Sequence, residues 1–259
     1  MESFKNVGLC FEDICCDLVP DLLNYKNSGQ AFITFLNNRL MQRLSNIPES
    51  IQKVEVPVDF SNNNKIAGGI LNTPPLYNLV KEIGGGATVF NFAKNLSENK
   101  VTIFYIYDDR AKPAHPSHQL RHANIFYISE NARANIVEKF ACSSKELQHT
   151  NSRWLICSGA TLTKYKLITS SFMKSSNHLS SEIVEQDDES CSNLFGFYLS
   201  EAKEPANACI KNNIRINLNG NNCYSNINYI SFLKDNVAVE NNIITKHFNK
   251  NCTSKEVFK

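Results

Sequence analysis

Residues 159–167 read Gly159-Ala160-Thr161-Leu162-Thr163-Lys164-Tyr165-Lys166-Leu167, a small turn pair followed by an alternating run. A side-chain period of two predicts a β-strand that begins directly after the turn. The same cue recurs where Asn131-Ala132 leads into residues 134–138, and where residues 220–222 lead into Cys223-Tyr224. Recurrence at roughly 20 to 30 residues, with little helical pattern between, predicts stacked rungs more than a sandwich. The sequence therefore predicts a mainly β protein, a right-handed parallel β-helix.

Other short β-rich runs support this interpretation, since each has the length of a strand. They are residues 54–58, 101–107, 124–128, 135–138, 154–157, 162–168 and 237–240. One long polar stretch interrupts them. Residues 170–192 include Ser175-Ser176, Ser180-Ser181 and Asp187-Asp188-Glu189, and this composition predicts a loop between rungs.

The spacing of apolar residues is different in the N-terminal part of the chain. Its apolar residues recur near helical spacing between turn signals at Asn27-Ser28-Gly29 and Pro48. They are Leu18, Val19, Leu22, Leu23, Phe32, Phe35, Leu36, Leu40 and Leu44. We therefore expect a small helical region over residues 1–50, followed by a parallel β-helix core over residues 51–259 that is incomplete at its C-terminal end.

Charge and hydropathy exclude several classes of protein. The chain has 27 basic and 25 acidic residues, a net charge of +2, and no long run of one sign, so neither a nucleic-acid partner nor a membrane-binding patch is indicated. The longest apolar-aromatic stretch, residues 101–107, is too short to span a bilayer. Nine scattered cysteines, an odd number, indicate free thiols in a reducing compartment. We expect a cytoplasmic protein.

The common catalytic and metal-binding motifs are missing. Gly84-Gly85-Gly86 is not followed by the Lys-Ser or Lys-Thr of a phosphate loop, and the sequence has no H-E-x-x-H, G-x-S-x-G or paired C-x-x-C. We expect no enzymatic activity and no ATP site. Three further groups are predicted to be ordinary loop or packing residues: the histidines at His115, His118 and His122, the cysteines at Cys10, Cys15 and Cys16, and the pair Asp187-Asp188.

The C-terminal segment brings two soft or borderline metal donors together. His247 and Cys252 lie five residues apart, and imidazole and thiolate are ligands that iron and iron–sulfur clusters accept. Taken alone, these residues favour a structural role, because a histidine or cysteine in a strand is commonly buried for packing.

Three passages, in order, resemble the SufB/SufD family of iron–sulfur cluster assembly proteins. They are residues 121–138, which begin Arg121-His122-Ala123-Asn124; Asn151 with residues 159–167; and Thr245-Lys246-His247 with residues 252–259, which read Cys252-Thr253-Ser254-Lys255-Glu256-Val257-Phe258-Lys259. The last passage is similar to the SufD branch, in which a histidine precedes a Thr-Ser segment and a terminal aromatic-Lys pair.

The resemblance implies a scaffold subunit that works with a SufB-like subunit and a SufC-like ATPase. A transient iron–sulfur cluster would form at the partner interface, with His247 as the matching metal ligand and Cys252 as a second cluster-binding residue. The absence of the helical segment that contacts SufC in the family makes that partner the weaker expectation. The resemblance leaves a flavin and homodimerisation open.

Two alternatives remain at this point. One is a non-functional truncated remnant or a purely structural β-solenoid. The other is a β-helix carbohydrate-active enzyme, which would need carboxylates that converge on one face; Glu138 and Glu240 are the acids in the β-rich runs that could supply them.

Overall fold

The computed structural model describes residues 19–56, 74–83, 86–93, 100–107, 123–142, 148–169, 177–199, 208–233 and 236–259. The first elements in these residues are α1 (Val19–Ser28), β1 (Phe32–Leu36), β2 (Arg39–Leu40), a 3-10 turn (Gln42–Leu44), β3 (Ile51–Val56), α2 (Pro74–Ile83), β4 (Ala87–Phe92) and β5 (Lys100–Tyr107). The following strands are β6 (Ala123–Ile128), β7 (Arg133–Cys142), β8 (Gln148–Ile156), β9 (Thr161–Ile168), β10 (His178–Gln186) and β11 (Cys191–Leu199). The last are β12 (Ala208–Leu218), β13 (Tyr224–Phe232), β14 (Val237–His247) and β15 (Thr253–Phe258).

These strands form two sheets in alternation. One sheet has the order β15-β13-β11-β9-β7-β5-β1-β2, and the other has the order β14-β12-β10-β8-β6-β4-β3. Among the described strands, β1 pairs with β2 and β3 with β4 in antiparallel fashion, and every other pairing is parallel. Each turn of the chain therefore adds one strand to each sheet, and the predicted β-solenoid is confirmed, with about four turns.

A left-handed residue marks the same corner of each successive rung. Positive φ angles occur at Asn131 (57°), Gly159 (66°), Glu189 (56°), Asn222 (57°) and Asn251 (59°). Glycine and asparagine tolerate this conformation at little cost. Each of the first four donates its backbone N–H to a carbonyl of the next rung, as Asn131 does to Ser158 at 2.9 Å. The turn pairs that the sequence analysis used are these corners.

The core lies in the lumen, the space between the two sheets. Alternate residues of each strand point into it, and equivalent residues stack from rung to rung. Phe90, Phe126 and Trp154 stack with ring centroids 5.5 Å and then 4.1 Å apart. Gly196 leaves room for the Tyr229 ring, because a Cβ there would lie 2.0 Å from the ring. The lumen is thus a packed interior.

Two helices cover the outer faces of the sheets. α1, which ends where Gly29 adopts a φ of 68°, packs the ring of Tyr25 edge-on to Phe104 at 5.3 Å. α2 buries Leu76, Leu79 and Val80 against the outward side chains of β4, β6 and β8, such as Val89. Neither helix in the described parts of the chain is long enough to cross a membrane.

Two local predictions are wrong. Phe32, Phe35 and Leu36 belong to strand β1, not to a helix, because every residue of this five-residue apolar segment is buried beside β5. The predicted loop over residues 170–192 contains strand β10, and β11 begins at Cys191. The predicted groups at His115, His118 and His122 and at Cys10, Cys15 and Cys16 lie outside the described residues.

Candidate functional site

The two predicted site residues lie on one rung, which we call the edge rung: β14, the turn of residues 248–252, and β15. β14 and β15 are the outermost strands at the same end of their respective sheets. His247 pairs in register with Leu218, whose side chain is buried in the lumen. The His247 side chain therefore occupies a lumen-facing register position, and it is exposed.

His247 is held by a residue that the sequence analysis did not identify. Its Nε2 lies 3.0 Å from the Oγ of Ser254 on the facing strand. A second cross-lumen contact runs parallel to it, since the Thr245 hydroxyl donates a hydrogen bond to Glu256 at 2.9 Å. The edge rung thus carries imidazole, hydroxyl and carboxylate groups on its lumen-facing positions. The alternation of side chains along β14 and β15 is the sequence signal that could have predicted that these groups face the same side.

Cys252 lies at the corner of the same rung and is partly exposed. Its thiol donates to the carbonyl oxygen of Gly220, at 3.1 Å. The thiol of Cys223, one rung earlier and buried, donates to the same oxygen at 3.3 Å. Burial raises the pKa of the Cys223 thiol. The sequence analysis did not identify Cys223 as a neighbour of Cys252.

The edge rung offers part of a metal-binding set. Imidazole nitrogen and thiolate sulfur suit iron in an iron–sulfur cluster. No group of three histidine, cysteine, aspartate or glutamate side chains in the described residues is arranged to hold a metal ion. An iron species that binds His247 or Cys252 therefore needs further ligands from sulfide or from another protein.

A second polar feature lies inside the lumen, where sequence analysis predicted none. Four charged side chains from three strands, each at most 2% exposed, form one network: Glu138, Lys164, Lys166 and Glu182. Lys164 contacts both Glu182 and, at 3.2 Å, Glu138. Lys166 donates to Glu182 at 2.9 Å and to Ser180 at 2.7 Å. We call these four residues the lumen charge cluster.

Attraction between opposite charges opposes the effect of burial within this cluster. Burial acts to raise the pKa of Glu182, but Lys164 and Lys166 hold that pKa well below its ordinary value. Burial likewise opposes the charge of Lys164, yet Glu138 and Glu182 raise its pKa. For Glu138 burial dominates and raises the pKa, despite the attraction of Lys164. The two lysines therefore favour the ionised form of Glu182, whereas burial disfavours the ionised form of Glu138.

Polar side chains connect the lumen charge cluster to the edge rung. Lys166 donates to the Oδ1 of Asn212 at 3.1 Å, and the Nδ2 of Asn212 donates to Asn241 of β14 at 2.9 Å. A separate set of polar side chains includes Ser192, whose hydroxyl donates to Gln186 at 2.7 Å and lies 3.0 Å from the hydroxyl of Ser225. Ser225 pairs in register with Ser254 of the edge rung. Hydrogen bonds thus connect the lumen charge cluster to β14 through Asn212 and Asn241.

The carboxylates considered for a carbohydrate-active enzyme do not share a face. Glu138 is 1% exposed and points into the lumen. Glu240 lies on the other sheet, where it is exposed and pairs with Lys211 at 2.9 Å. These two residues therefore do not form the pair of converging carboxylates on an accessible face that such an enzyme needs.

Comparison with known proteins identifies one family. The profile described as "SUF system FeS cluster assembly, SufBD core domain" matches residues 111–259. This region contains all of the strands from β6 to β15, the lumen charge cluster and the edge rung. A search of curated proteins finds no match.

Proposed function

Because the chain belongs to the SufBD core-domain family of the SUF iron–sulfur cluster assembly system, we propose that it is a non-enzymatic, SufD-type scaffold subunit. In this role its edge rung binds a nascent iron–sulfur cluster, which is the cargo of the system. His247 supplies an imidazole ligand and Cys252 a thiolate.

The observation that supports this proposal is the location of His247 and Cys252. Both lie on the outermost rung, at the ends of one turn, and both are accessible at least in part. A donor buried deep in the lumen could not share a cluster with a second protein. Ligands on the edge rung can do so, and the incomplete donor set found in the described residues fits a cluster that is completed by a partner.

The proposal assigns the remaining tasks to partners. A SufB-like subunit would dock against the edge rung and provide the missing ligands. A SufC-like ATPase would hydrolyse ATP, since the sequence has no Walker motif in its glycine-rich segment at Gly84-Gly85-Gly86.

Anaerobic reconstitution tests the proposal. The chain is purified together with its cognate SufB-like and SufC-like subunits and supplied with iron and sulfide, and bound iron and acid-labile sulfide are measured per complex. His247→Ala and Cys252→Ala should each lower the cluster content several-fold, because each removes one ligand.

Lys246→Ala is the matched control, because Lys246 is the exposed neighbour of His247 on the opposite side of the strand. It should leave the cluster content at the wild-type value. Complexes that assemble normally and bind equal amounts of cluster in the wild type, His247→Ala and Cys252→Ala would refute the proposed site.

A further inference from the structure

The residues that directly follow the left-handed corner residues of successive rungs form a column along the solenoid. Its members are Ala132, Ala160, Ser190, Cys223 and Cys252. The first four are at most 1% exposed. The two thiols therefore occupy equivalent positions on neighbouring rungs, a relationship that the 29-residue separation in sequence does not reveal.

The backbone holds these two cysteines side by side. Tyr224 and Thr253, the residues that follow them, are in-register partners in the sheet, and the N–H of Thr253 donates to the carbonyl of Cys223 at 2.9 Å. Neighbouring strands lie about 4.8 Å apart. This separation falls within the range of about 4.4–6.8 Å between Cα atoms that a disulfide spans.

The side chains also point the same way. Asn222 and Asn251, which precede them, have φ angles of 57° and 59°, so both corners share one local conformation. Both sulfur atoms contact the same acceptor, the carbonyl oxygen of Gly220, at 3.3 Å and 3.1 Å. Two sulfur atoms that both contact a single oxygen lie near each other.

The two thiols differ in access. Cys252 is partly exposed, whereas Cys223 is 1% exposed. An oxidant in solution therefore reaches Cys252 first, and Cys223 is placed to react with the product.

We propose that Cys223 and Cys252 form a reversible disulfide that fastens the edge rung to the rung before it. The oxidant is a small-molecule disulfide. The Cys252 thiolate attacks one of its sulfur atoms, which forms a mixed disulfide and releases one thiolate. The Cys223 thiolate then attacks the Cys252 sulfur and displaces the second thiolate. Two protein thiols are oxidised, one small-molecule disulfide is reduced to two thiols, and the two protein protons pass to the released thiolates.

The effect of this disulfide on cluster binding rests on the proposed function. The disulfide itself requires only the geometry of the two cysteines. If Cys252 is also a cluster ligand, the disulfide removes that ligand, so oxidising conditions switch off cluster binding at Cys252 until a thiol reductant restores it.

Peptide mapping of the full chain tests the inference. The reduced protein is treated with glutathione disulfide, free thiols are alkylated, and the protein is digested with trypsin without reduction. Cleavage after Arg215, Lys234, Lys250 and Lys255 places Cys223 in peptide 216–234 and Cys252 in peptide 251–255. We expect these peptides as one disulfide-linked species, which dithiothreitol separates.

Alanine variants provide the controls, because alanine already occupies this column at Ala132 and Ala160. Cys223→Ala should trap a stable glutathione adduct on Cys252, whereas Cys252→Ala should leave Cys223 reduced. Cys191→Ala, which changes a partly exposed thiol outside the column, should leave the linked peptide unchanged.

The inference is overturned if wild-type protein accumulates the Cys252 glutathione adduct without the linked peptide, or if Cys252 links to another cysteine. Cluster reconstitution on the reduced protein separates this outcome from failure of the proposed function. A linked peptide with no cluster binding overturns the function alone, and cluster binding without a linked peptide overturns the inference alone.

Discussion

Glu182 is the residue on which the lumen charge cluster depends, because it contacts both lysines. Glu182→Gln should lower the free energy of unfolding by about 3–5 kcal/mol, since it leaves buried ammonium groups without their main counter-charge. Urea denaturation measures this. Glu240→Gln, which breaks an exposed pair with Lys211, is the control and should have little effect. Equal stability of wild type and Glu182→Gln would show that the buried network is not an ion-pair network.

His178 makes stability depend on pH. It is buried in the lumen beside the ring of Phe140, at 5.3 Å. Burial, and then the charge of Lys166, hold the pKa of His178 well below its ordinary value of 6.5. The unfolded chain therefore takes up a proton below about pH 6.5 that the folded chain does not, so stability falls as the pH falls through this range, by up to about 1.4 kcal/mol per pH unit.

Urea denaturation at about pH 7.5 and about pH 5.5 checks this sign. Glu138, with a raised pKa, acts in the opposite direction, so the test is the difference between wild type and His178→Gln. The variant should lose less stability on acidification than the wild type does. The same loss in both proteins would contradict the assignment to His178.

Individual site residues were only partly predictable. His247 and Cys252 stand out by chemical type, and the structure finds them on one rung. Lys164 and Lys166 lie two and four residues after Leu162 in strand β9, so the alternation of side chains predicts that they point inward with it. Lysine is almost never fully buried unless it is paired, however, and the sequence does not show the partner. Their partner Glu182 lay in a predicted loop. Cys223 becomes a neighbour of Cys252 only when the rungs are aligned.

The corner turn is the element that sets the repeat, and one corner departs from the pattern. Four of these five left-handed corners hold asparagine or glycine, and the remaining one, the third along the chain, holds the exposed Glu189. A glutamate in this conformation is disfavoured relative to asparagine. Glu189→Asn should therefore raise the free energy of unfolding by about 0.5–1 kcal/mol.

Thermal or urea denaturation measures this gain. The reverse change at an equivalent corner, Asn222→Glu, should destabilise the protein by a similar amount, which controls for the loss or gain of charge alone. If Glu189→Asn lowers stability, the left-handed backbone is not what selects the residue at these corners.

At the level of elements, the sequence predicts the strands whose side chains alternate visibly between apolar and polar or are mostly apolar over more than five residues. Strands β5, β6 and β9 were found because apolar residues alternate or dominate in them. β10 was missed because its inward residues include His178, Ser180 and Glu182, which look like loop residues until their partners are known. β1 was missed because a five-residue apolar run has no period that separates strand from helix.

At the scale of the whole molecule, the described residues form a solenoid with a packed lumen, and the edge rung carries its last two strands. Repetition in the sequence was enough to predict this architecture, because each rung reuses one corner and one alternation. Repetition alone does not predict what the edge rung binds, because binding to a partner or a cluster imposes no sequence period on a single chain. Membership of the SufBD core-domain family gives the edge rung its context, which is iron–sulfur cluster assembly by the SUF system.

In the proposed site, His247 binds the iron of a nascent cluster. Pulsed electron paramagnetic resonance of the reduced, reconstituted complex, in which only this chain carries ¹⁵N-labelled histidine, tests this bond. We expect a ¹⁵N hyperfine coupling to the cluster that disappears in His247→Ala and persists in Lys246→Ala. A reconstituted cluster with no ¹⁵N coupling, or with a coupling that survives in His247→Ala, would show that His247 is not a ligand.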